Sequence, residues 1–109
     1  MSARYVLRPK ADQDLEDQAY YLATQANTEV GHRFLLAAHE TISLLATQPE
    51  MGWHGPLVDP RLASLRIFRV RGFERILILY LARPDGVEIG RVVHGSRDLE
   101  AFLRRERLE

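Results

Sequence analysis

Residues 75–95, RILILYLARPDGVEIGRVVHG, decide how this chain folds. Arg75–Leu81 is apolar at neighbouring as well as alternate positions, so it reads as a strand buried on both faces, the centre of a sheet. Arg83-Pro84-Asp85-Gly86 then forms a tight turn, with proline second and glycine fourth. Val87–His94 is the returning strand, and so short a connection demands antiparallel pairing. The register of that strand stays open, because Val87, Ile89 and Val93 share a face with Arg91. Gly95 breaks the run. Ser96 can cap a short C-terminal helix, Asp98 sits in its first turn, and Leu99, Phe102 and Leu103 give it an apolar stripe.

Working outward, Leu65–Arg71 (LRIFRVR) mixes charged and apolar residues like a strand with one wet face, and Gly72 allows a turn into the central strand. The preceding EMGWHGPLVDP, 50 to 60, holds two glycines and two prolines and reads as a loop. Two helical stripes lie upstream. Ala11, Leu15, Ala19, Leu22 and Ala26 recur at three and four, and so do Val30, Phe34, Ala38, Ile42 and Leu45. Pro9 suits the first turn of the first helix, and Asp12, Asp14, Glu16 and Asp17 crowd its N-terminal turns, where the macrodipole favours negative charge. Asn27 and Thr28 separate the helices and offer a cap for the second, which Pro49 ends. The short connection predicts an antiparallel helical hairpin. Arg4–Arg8 is a short opening strand. The expected fold is α+β, in the order β-α-α-β-β-β-α, with the helical hairpin packed on one face of an antiparallel sheet.

At 109 residues the chain is expected to be one domain, 1–109. It has no cysteine, which excludes disulfides, thiolate metal sites and a cysteine nucleophile. The N-terminus lacks the apolar core of a secretory signal, and ILILYLA at 76–82 is too short to span a bilayer, so a cytoplasmic location without membrane contact is expected. The net charge of zero conceals a partition. Residues 1–10 carry +3, residues 11–60 carry −7, and residues 61–109 carry +4. Such bipolarity suits a partner of mixed charge better than a long polyanion.

Two clusters stand out as candidate contacts. His94, Arg97 and Asp98 occupy the corner where the last strand becomes a helix, a rigid place to present an arginine. Arg66, Arg69, Arg71 and Arg75 interleave with Leu65, Ile67, Phe68 and Val70, which places a basic surface on or beside the sheet. Trp53 either anchors a partner or closes one end of the core. His32 and His39 lie seven apart, whereas chelation along one helix wants three or four, so no metal is expected. No Ser-His-Asp order or phosphate-cradling glycine loop is present, and no cofactor is expected.

The order and spacing of these segments resemble the RelE/ParE toxin superfamily over nearly the whole length. The resemblance rests on the opening strand followed by RPKADQDLEDQAYY, the helix-ending QPEMG, the strand LRIFRV and the closing GVEIGRVVHGSRDL. A strand followed by His-x-x-Arg-Asp, with Tyr80 in the central strand, is similar to the ParE branch in particular. That resemblance implies the toxin of a type II toxin–antitoxin system, acting on DNA gyrase by protein–protein contact without catalysis and neutralised by a ParD-like antitoxin. Contacts to target or antitoxin are then expected from Arg66, Arg69, Arg71, Arg75, His94, Arg97 and Asp98. The RelE branch implies instead a ribosome-dependent mRNA endoribonuclease, for which Tyr80, Arg91, His94 and Arg97 are the available acid–base set. RelE-type nucleases commonly carry a tyrosine in the C-terminal helix. The matching place here is Phe102, which has no hydroxyl to exchange a proton. A third reading is a degenerate, non-toxic member that only binds an antitoxin.

Overall fold

The computed structural model describes residues 4–54 and 64–95. Its elements are β1 (Arg4–Leu7), α1 (Pro9–Gln25), α2 (Thr28–Thr47), a single 3-10 turn (Pro49–Met51), β2 (Trp53–His54), β3 (Leu65–Val70), β4 (Phe73–Arg83) and β5 (Gly86–His94). They form two layers, the helical hairpin on one face of a five-stranded sheet ordered β1-β5-β4-β3-β2. The expected C-terminal helix, with Leu99, Phe102 and Leu103, lies outside the described residues.

The hairpins form as the turns require. Pro84 and Asp85 join β4 to β5, Arg71 and Gly72 join β3 to β4, and β2 through β5 all pair antiparallel. The expectation of a wholly antiparallel sheet gives way at β1, which runs parallel to β5. The reason is the connection: β1 leaves through two helices rather than a tight turn, and a long crossover carries no antiparallel constraint. The sheet is therefore mixed. Gly86 admits this edge strand, since a Cβ there would lie 1.6 Å from the carbonyl oxygen of Arg4, and its φ of +157° also disfavours a side chain. The described start of the segment read as a loop, Glu50–His54, holds regular structure. Two of its residues form β2, too short a strand to show any alternation in sequence.

The open register of β5 is resolved by one extra residue. Leu79 pairs with Arg91 but Tyr80 pairs with Ile89, so Gly90 is the unmatched residue of a bulge. The bulge switches the alternation. Val87, Ile89 and Val92 join the helix-side core, while Val93 joins a smaller outer-face cluster with Leu65, Ile67, Leu77 and Leu79. The helix-side core contains Ala11 and Leu15 from α1, Phe34, Ala38, Ile42 and Leu45 from α2, and Ile76, Ile78 and Tyr80 from β4. Phe34 meets Phe73 edge to face, with ring centroids 5.5 Å apart. Asn27 caps α2, its side-chain oxygen accepting the Val30 N–H at 2.9 Å.

Asp14 does more than sit favourably in the macrodipole of α1. It is buried at 9% exposure and lies against β5. Its carboxylate accepts Arg91 Nε at 2.7 Å, Arg91 Nη2 at 3.2 Å and the Val92 backbone N–H at 2.9 Å. The position is explicable. β1 pairs only with Gly86–Ile89, so the rest of β5 has no strand on that side. Asp14 takes the backbone donor that a longer β1 would have taken, and the guanidinium neutralises the carboxylate.

Removing one member of such a buried pair strands the other. Asp14→Ala is expected to destabilise the fold by about 3–5 kcal/mol, read as a lower urea midpoint at unchanged slope. Adding Arg91→Met should recover part of that loss but not all, because Val92 remains without its acceptor.

Candidate functional site

The central strand brings Tyr80 under the start of β2. Its side chain is fully buried, and its hydroxyl donates to Pro49 O at 2.8 Å while accepting the Gly52 N–H at 2.8 Å. Burial pushes this phenol above the ordinary tyrosine range, with the Gly52 bond and the Arg66 charge opposing the shift more weakly. It therefore stays protonated as a donor at neutral pH. Arg66, on β3 directly opposite Tyr80, donates through Nη1 to Gly52 O at 2.8 Å and Glu50 O at 3.1 Å. Together the two side chains clamp the 49–52 turn onto the sheet. Gly52 is required by the closeness of that clamp, as a Cβ there would meet the Tyr80 hydroxyl at 2.5 Å.

The four sheet arginines do not form one patch. Arg66 is spent on the clamp. Arg69 is exposed and stacks over Trp53, its guanidinium carbon 4.9 Å from the ring centroid. Arg71 is exposed at the β3–β4 turn, where its backbone N–H is held by Thr41 Oγ1 at 3.2 Å. Arg75 lies with His94 on a groove of about 420 Å³, whose other walls include Tyr21 and Leu22 of α1 and Phe73 and Ile76 of β4. Arg97 and Asp98, the other candidates at that corner, lie outside the described residues.

Of the residues named for a nuclease, Arg97 lies outside the described residues, and Tyr80 and His94 are separated. Tyr80 is saturated by the clamp and Arg91 is engaged by Asp14. His94 pairs in register with Ile76, four residues along β4 from Tyr80, a separation of about 13 Å at the usual strand rise. His32 and His39 are exposed; His39 Nδ1 meets the Tyr5 hydroxyl at 3.4 Å. Among the described residues no three His, Asp or Glu side chains gather closely enough to hold a metal ion.

Sequence reasoning missed Asp14 and the Glu50–Gly52 turn. For Asp14 a signal existed: it falls three residues after Ala11 and one before Leu15, on the buried side of the stripe. For the turn there was none, because backbone acceptors carry no mark in the side-chain code.

The clamp gives a direct prediction. Tyr80→Phe keeps the ring but leaves Pro49 O and Gly52 N–H without partners, at an expected cost of about 1–3 kcal/mol. Emission from Trp53, the single tryptophan, should shift to the red as β2 loosens, which a fluorescence spectrum of the folded variant would record.

The fold and these contacts can be set beside known proteins. The family model for the ParE toxin of type II toxin–antitoxin systems, parDE, matches residues 5–99. A solved structure described as the chromosomal ParDE TA system from P. aeruginosa superposes with a TM-score of 0.70 at 14% identity, covering 87% of this chain and 98% of that one. At that identity the likeness speaks for the fold alone. A comparison with curated proteins returned no match. By the family match over most of its length, this chain belongs to the ParE toxin family of type II toxin–antitoxin systems.

Proposed function

We propose that the chain poisons DNA gyrase by protein–protein contact, without catalysis of its own, and that a ParD-like antitoxin neutralises it by covering the contact surface. Family membership supports the toxin role. The observation that favours a binding mechanism over RNA cleavage is the fate of Tyr80 and Arg91. A general acid or base must reach its substrate within hydrogen-bond distance. The Tyr80 hydroxyl is buried with both its bonds made to the 49–52 turn, and the Arg91 guanidinium lies in the Asp14 pair. Neither is placed to exchange a proton with an RNA 2′-hydroxyl. Net neutrality points the same way, since docking into an RNA cleft depends on neutralising phosphates.

The experiment is a side-by-side assay of purified toxin on gyrase and on translating ribosomes. Supercoiling should fall and protein-linked cleaved DNA should accumulate, while mRNA stays whole. Stoichiometric antitoxin should reverse the effect. Codon-phased cuts in mRNA, lost in His94→Ala, would instead establish the endoribonuclease. A folded protein inert in both assays and harmless on induction would identify a member that only binds an antitoxin.

A further inference from the structure

The clamp built by Tyr80 and Arg66 has a product on the opposite face of the sheet. β2 is two residues long, too short to hold itself in place by its own pairing. Anchoring the 49–52 turn delivers Trp53 opposite Ile67, a member of the outer-face cluster. Trp53 therefore stands on the outer face, and Arg69, two residues beyond Ile67, shares it. The guanidinium lies over the indole, and both side chains reach solvent, with Trp53 38% exposed. The contact restrains the Arg69 side chain against the ring, and its exposure leaves the guanidinium N–H groups open to solvent. Among the described residues no carboxylate or carbonyl accepts from those N–H groups, and Arg71, at the β3–β4 turn, makes no ion pair either.

We propose that the Trp53–Arg69 stack is a preorganised docking point for a protein segment bearing a carboxylate. The Arg69 fork takes an Asp or Glu side chain, and the indole takes the apolar residue beside it. Three arguments carry this. A guanidinium held against a ring presents its paired donors in the geometry that fits a carboxylate bidentately, with little rotamer freedom left to lose. Tryptophan and arginine are the residue types that dominate binding energy at protein interfaces. A phosphate polymer fits less well, because it calls for an extended positive track, and Arg66 is turned inward to the clamp. The proposal stands apart from the gyrase reading, since antitoxin and target are both proteins that carry carboxylates.

Trp53 is the only tryptophan, so its emission reports directly on this site. The full chain would be titrated with a capped peptide of repeating Glu-Leu-Asp-Ala, with the matching Gln/Asn peptide, and with oligouridylate. The acidic peptide is expected to change the emission saturably and the amide peptide to leave it unchanged. Arg69→Gln should weaken the acidic peptide about tenfold or more, the size of one charge-assisted pair lost, while Arg4→Gln binds as the parent does. If Arg69→Gln does not melt cooperatively, Arg69→Lys keeps the charge, loses the fork and should show the same weakening. Arg69-dependent saturation by oligouridylate with a silent peptide would overturn the proposal in favour of nucleic acid. Silence with every probe, or equal peptide binding by parent and Arg69 variants, would reduce the stack to a structural contact.

Discussion

The Asp14 carboxylate is the constraint on which the two layers depend. It joins the first helix to the last described strand, 78 positions away at Val92, through two guanidinium bonds and one backbone bond. Apolar packing alone leaves a helix free to slide or rotate over a sheet, because burial is non-directional. A buried carboxylate with three donors at fixed positions does not tolerate such sliding, since any shift leaves charge unpaired in a low-dielectric site. The same contact caps the part of the β5 edge that β1 is too short to cover. One residue thus sets the placement of α1 and protects an edge from pairing with another chain.

The second fixed point is the buried phenol of Tyr80. It acts at the other side of the sheet, where the chain leaves α2 and must return to form β2. Together with Arg66 it replaces the ladder that a two-residue strand cannot supply. Both polar networks sit in otherwise apolar surroundings, and among the described residues no buried side-chain nitrogen or oxygen lacks a partner. Such complete satisfaction lets buried polar groups specify one arrangement rather than destabilise it.

These networks also shape what the protein has left to offer a partner. Of the charged and hydroxyl groups that a list of candidates would include, those deepest in the fold are consumed by the fold. Among the described residues, those left outward include the Arg69–Trp53 stack, the exposed Arg71, and the groove shared by Arg75 and His94. A scaffold of this kind presents rigid cationic points on a surface. That is consistent with a family of toxins paired with antitoxins.

Both helices and every described strand except β2 are legible in the chain, as are the two hairpins that join β3, β4 and β5. The doubly apolar run 76–80 could only be central, the Pro84–Asp85 turn could only reverse the chain, and the three–four spacing of Phe34, Ala38, Ile42 and Leu45 marked a buried helical face. These features are local, written in periods of two and 3.6 and in residues with restricted backbones. The remaining features arise from contacts between distant segments. The parallel course of β1 depends on where a two-helix crossover sets the chain down. The inward turn of Arg66 depends on carbonyls fourteen and sixteen residues away. The pairing of Asp14 with Arg91, and the bulge at Gly90 that puts Val92 rather than Val93 on the core side, depend on two elements meeting in space. A one-residue slip or a distant charge partner leaves no period in the chain, so only the assembled layers reveal which polar residues face outward.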